Sequence, residues 1–146
     1  MANSKMRRLG FWLILILAIV GAWLTLPRTE NRLPNDYASL TPPTNFDSVD
    51  SIAAGREIFL ASCAACHGVN GNGQGAVKPT FGLKPSDFTD RTQTQRRTPQ
   101  YLFWRMSEGG QSEPFRAQGS IMPAWKFQLS EQQRWQMVAY LLTLAR

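Results

Sequence analysis

Histidine is almost missing from this chain of 146 residues: His67 stands alone, and Cys63 and Cys66 are the only cysteines. So few ligands exclude a zinc site closed by four Cys or His side chains. They also leave no second histidine for acid–base work, and no carboxylate pair or nucleophile–base pair points to an enzyme of another kind. Glycine is dense between Gly68 and Pro85, at Gly71, Gly73, Gly75 and Gly82, but no G-K-[ST] follows, so a phosphate-binding loop is excluded. The formal charge is +6, yet setting Lys5, Arg7 and Arg8 aside leaves thirteen basic residues against ten acidic ones, too small an excess for a nucleic-acid surface. Arg91, Arg96 and Arg97 remain as a local basic patch, solvated or used for docking.

Charge is absent altogether from Leu9 to Leu26, a run of 18 residues. As a helix it spans roughly 27 Å, close to a bilayer core. Trp12 and Trp23 stand near its ends, and the basic residues before it place the N-terminus inside. The run therefore predicts a single-pass anchor over 9–26, following a short cytoplasmic end at 1–8. The alternative is a cleaved signal peptide with Val20-Gly21-Ala22 as its cleavage site. Either way the remainder is exported, to the periplasmic or outer face of a bacterial cytoplasmic membrane. Residues 27–49, with Pro34, Pro42 and Pro43, read as an extended tether. A folded domain over 50–146 follows.

The scarce ligands sit together: Cys63-Ala64-Ala65-Cys66-His67 is the attachment signature for c-type haem. Two thiols three residues apart on a helical turn reach the two vinyl groups of one porphyrin, and the next residue turns its imidazole toward the iron. A redox dithiol usually follows a strand, and no strand pattern precedes this one. A structural disulfide would not need the adjacent histidine. One covalent haem c, with His67 as an axial ligand, is the reading.

Gly55-Arg56-Glu57-Ile58-Phe59, the run Cys63 to Gly75, Met122-Pro123-Ala124-Trp125 and the closing Trp135 to Leu141 together resemble the single-haem class I cytochrome c family. The resemblance implies an all-α haem domain of three or more short helices with long loops, preceded here by the N-terminal transmembrane helix. It also implies a methionine as the second axial ligand. Met122 is the candidate, presented from a loop stiffened by Pro123, whereas Met106 and Met137 fall inside helices and read as packing. Pro79, ahead of Pro85, is the candidate for the backbone carbonyl that accepts the His67 ring N–H. Trp104, Arg105, Trp125 and Lys126 either pack on the haem and bond its propionates or serve ordinary packing.

Helices are expected at Ser51 to Ala64, capped by Asp50 or Ser51; at Pro99 to Glu108, after Thr98 and before Gly109-Gly110; and from Ser130, with Gln133 closing a capping box, to the end. By the resemblance, the first and last helices cross, with Gly55 and Phe59 against Met137 and Tyr140. A His/Met-ligated haem leaves no open site for a small-molecule substrate, so the expected role is single-electron transfer rather than catalysis. The partners are redox proteins or a larger membrane redox complex, and the bilayer through 9–26. The rival role is a gas sensor in which Met122 is displaced.

Overall fold

The computed structural model describes residues 12–21, 33–94 and 96–145, in two compact units, 1–30 and 31–146. In the first unit, residues 12–21 form helix α1, with exposed apolar side chains such as Ile14 and Leu17. No helix among the described residues is long and apolar enough to cross a membrane. Of the span expected over 9–26, positions 9–11 and 22–26 lie outside the described residues.

The second unit is helical, with no strand among the described residues. In chain order it holds α2 (Asn35–Ala38), α3 (Val49–Ser62), α4 (Ala64–His67), α5 (Arg91–Thr94), α6 (Pro99–Glu108) and α7 (Glu131–Leu144), with 3-10 turns at Gly109–Gln111 and Trp125–Phe127. Capping explains the boundaries. Thr98 accepts from the Tyr101 N–H at 3.1 Å with Pro99 in the first turn, and Ser130 and Gln133 complete a reciprocal capping box. Helix α3 begins two residues before its expected start. Ser48, rather than Asp50 or Ser51, accepts from the Ser51 N–H at 3.3 Å, leaving Asp50 in the first turn where its charge suits the helix dipole.

Helices α3 and α7 cross almost without a gap. A methyl group added to Gly55 would fall 2.0 Å from the Gln136 carbonyl oxygen and 3.0 Å from Cβ of Tyr140. Only glycine permits that approach. One turn on, Phe59 is fully buried with its ring 5.3 Å from that of Tyr140. Tyr140 faces α3 as the sequence implies, whereas the residue opposite Gly55 is Gln136; Met137, one position on, turns toward a cavity instead. Against the other side of α7, Phe103 of α6 stacks on Trp135 at 4.2 Å and 20°. Burying rings of this size contributes about 2–3 kcal/mol each.

The expectation of an extended tether over 27–49 needs correction where the chain is described. Residues 34–48 pack as a strap on the rest of the second unit. Gln100 donates to the Leu40 carbonyl at 3.1 Å, Phe46 meets Trp135 edge-on at 5.9 Å, and the Tyr37 hydroxyl donates to Glu108. Its apolar residues, Tyr37, Leu40 and Phe46, are too widely spaced to show a periodicity, yet each finds a place on the core.

Gly55→Ala is expected to lower the unfolding free energy of the full-length protein by about 2–3 kcal/mol, because the clash is with backbone and cannot relax by rotation. Chemical denaturation reads this as a lower midpoint; an unchanged midpoint would show that the helices do not touch here.

Candidate functional site

The end of α3 leads directly into the functional turn. Cys63 closes α3, α4 carries Cys66 and His67, and the His67 N–H returns to the Cys63 carbonyl at 2.9 Å. The next residues wrap around this turn: Gly73 donates to the His67 carbonyl at 2.8 Å, Gly75 to that of Cys66 at 3.2 Å, and Val77 to that of Ala65 at 2.8 Å. Phe88 then returns to pair with Gly71 at 2.7 Å, and its ring lies 4.9 Å from the imidazole.

That register brings the Ser86 carbonyl, not the expected Pro79, to His67. The distance from Nδ1 is 3.1 Å. Since a carbonyl only accepts, Nδ1 carries the proton and Nε2 keeps its lone pair for a metal. The Pro85 carbonyl lies on the Gly73 side, where an added Cβ would meet it at 2.9 Å. Nothing in the sequence marks a backbone acceptor in a glycine-rich loop, so only the backbone pairing reveals Ser86.

His67 opens on a cavity of 510 Å³, also lined by Cys63, Phe59, Met106, Met122, Met137 and Leu141. Its size is typical of pockets that hold a medium-sized organic ligand. Cys66 and Pro79 line an adjoining cavity of 210 Å³, again with Cys63, His67 and Met122. The five site residues from the sequence therefore gather in one region, although Pro79 makes no hydrogen bond to the imidazole. Met106 and Met137 are buried, as expected for packing, but both face the larger cavity.

The electrostatics of this region are set by burial. Burial pushes the Cys63 thiol up to about 12, with Cys66 adding to the effect. Burial also lowers the His67 imidazole, against the hydrogen bond to Ser86, so the ring is held neutral and able to ligate. Of the charged residues on this cavity (Lys84, Asp87, Arg97 and Arg105), Arg105 is plainly shifted. Burial pulls it down to about 10, with Tyr101 opposing and Arg97 reinforcing. Its guanidinium donates to the Gly109 carbonyl at 2.6 Å and to Ser112 at 3.3 Å, and it lies 3.3 Å over the Phe115 ring. No carboxylate among the described residues pairs with it.

These features fit a haem c. The pair of thiols, the oriented imidazole, a largely apolar cavity and a half-buried cation with no carboxylate bonded to it match the vinyl groups, iron, porphyrin face and propionates of that cofactor. Among the described residues no group of three His, Cys, Asp or Glu side chains converges to hold a bare metal ion. Of the aromatic and basic residues left open in the sequence, Arg105 and Trp125 line the cavity. Trp104 is buried between Tyr101 and Phe115, and Lys126 pairs with Glu108 at 2.7 Å.

Comparison with known proteins agrees with this geometry. The family model for cytochrome c matches residues 52–145. Among solved structures, a chain of the Kuenenia stuttgartiensis reducing HAO-like protein complex is similar, with 26% identity and a TM-score of 0.55 over 86% of this chain and 54% of that one. This chain thus spans about half the length of that relative. No curated protein matches it significantly.

Arg105→Gln removes a positive charge from the cavity wall and is expected to lower the reduction potential by a few tens of millivolts, since the cation disfavours the more positive oxidised state. A redox titration of the haem-loaded protein checks this. A potential equal to the unsubstituted protein's would mean that Arg105 is fully neutralised or does not face the cofactor.

Proposed function

The chain belongs to the cytochrome c family, and from that premise we propose that it is a single-electron carrier whose His67 and Met122 are the two axial ligands of its haem c. Cys63 and Cys66 fit the covalent attachment of this haem. The observation that supports the axial pair is that one cavity collects Cys63, His67 and Met122, with His67 already fixed in the tautomer that frees Nε2. The bound haem supplies a one-electron couple at its iron. The chain's own residues do the rest. Cys63 and Cys66 prevent dissociation, Ser86 orients His67, and Phe59, Phe88 and Leu141 keep water out of the surrounding volume.

No catalytic step is part of this proposal, because both axial positions are taken by the protein. The partners are redox proteins. The similar Kuenenia chain comes from a protein complex, which supports a macromolecular partner over a small diffusing substrate. We place the haem domain on the outer side of the cytoplasmic membrane, held by residues 9–26 as a single-pass anchor. The support is the uncharged run and the basic residues before it. In that setting the protein works as a tethered shuttle or as the cytochrome subunit of a larger complex. Extraction in mild detergent separates the two, since a subunit migrates with its partners and a shuttle alone.

Met122→Ala is expected to abolish the weak long-wavelength absorption band that methionine–iron ligation gives and to open the iron to carbon monoxide, while thioether attachment persists. An unsubstituted protein that lacks the band and binds carbon monoxide readily would remove Met122 from the iron and favour a gas sensor.

A further inference from the structure

Glu108, the last residue of α6, joins three segments that are far apart in sequence. Lys126 Nζ donates to both of its carboxylate oxygens, at 3.0 and 2.7 Å, and the Tyr37 hydroxyl donates to Oε1. Lys126 lies in the 3-10 turn four residues after Met122. Two residues beyond Glu108, the Gly110 N–H donates to the carbonyl of Met122 itself at 2.7 Å. The backbones are in contact here, for a methyl group on Gly109 would fall 2.2 Å from the Pro123 carbonyl oxygen and 2.5 Å from that of Met122. The methionine loop is therefore fastened to the end of α6 at Met122 and again at Lys126.

The carboxylate is well placed to act as a clamp. Its side chain is 21% exposed. Burial works against its charge, but Lys126, Tyr37 and Arg134 together keep the carboxyl below its ordinary value. The Tyr37 phenol, raised to about 12 by burial and then by Glu108, stays a donor.

We infer that Glu108 is a positioning residue for Met122: through Lys126 it holds the methionine loop against α6, and through Tyr37 it ties that loop to the strap of residues 34–48. The strap thereby sets how firmly Met122 stays on the iron. The inference rests on Met122 being an axial ligand.

Titration of the oxidised, haem-loaded full-length protein with imidazole measures that hold, because imidazole must displace the methionine. Glu108→Gln and Lys126→Gln are each expected to bind imidazole about tenfold more tightly, the size of a lost charge-assisted hydrogen bond. Tyr37→Phe should show a smaller gain of about threefold. Lys126→Arg, which keeps the charge, should stay near the unsubstituted protein. Haem attachment and helix content are followed in parallel. If Glu108→Gln does not fold, Lys126→Gln, at a more exposed position, decides the matter. Imidazole affinities of Glu108→Gln and Lys126→Gln equal to the unsubstituted protein's would overturn the clamp, and an unaffected Tyr37→Phe would overturn the role of the strap. A Met122→Ala variant with unchanged imidazole affinity would instead show that Met122 is not on the iron, and the clamp would fall for that separate reason.

Discussion

The backbone contact between α3 and α7 at Gly55 is the constraint on which the haem site depends. With no side chain between them, the two helices form one rigid crossing. One helix runs straight into the turn that carries Cys63, Cys66 and His67, and the other presents Met137 and Leu141 to the same cavity. A wider crossing would carry α7 away from the cysteine turn and enlarge the cavity between them. The opposite wall has a different origin: it comes from α6 and the methionine loop, which reach this crossing through the stack of Phe103 on Trp135.

Much of this was legible in the sequence where short-range chemistry decides the outcome. Thr98-Pro99, Ser130 with Gln133, and Gly109 are local signals, and each marks a boundary that the structure keeps. The C-x-x-C-H turn is equally local. What escaped was non-local. The carbonyl opposite His67 is chosen by how residues 71–88 pair with themselves, and no residue type announces it. Glu108 looked like an ordinary helix-terminal acid, and its partners stand 71 and 18 residues away. The strap was hidden for a related reason: proline-rich segments resemble linkers in composition, and only the waiting surface of α6 and α7 turns this one into structure.

Arg105 shows how the site handles charge. An unpaired, half-buried cation is destabilising, and the chain offers it a carbonyl, a hydroxyl and the faces of Phe115 and Trp104. That arrangement makes sense if an acidic cofactor completes the pair, because the cost of burying the guanidinium is then offset only in the loaded state. The buried, neutral thiol of Cys63 and the neutral imidazole of His67 fit the same logic.

The strap bears on a problem that any small haem domain meets: the two sides of the cofactor are held unequally. On the cysteine side, covalent bonds and a backbone hydrogen bond fix His67. On the other side, where Met122 is the ligand we propose, a long loop with little secondary structure would have to keep a weak thioether in place. Here the loop is tied to α6 by backbone contact at Gly109 and Gly110 and by the pair of Glu108 with Lys126. The strap covers the far side of this junction, with Phe46 on Trp135 and Tyr37 on Glu108. Trp135 leaves its buried indole N–H without a partner among the described residues, a penalty of about 1–3 kcal/mol. Its ring nevertheless fills the space where strap, α6 and α7 meet, and packing against two aromatic neighbours offsets a lost hydrogen bond. Residues 34–48, outside the matched family segment, therefore pack on the side of the fold that carries the Met122 loop, so this strap is part of the folded unit and not merely a leash.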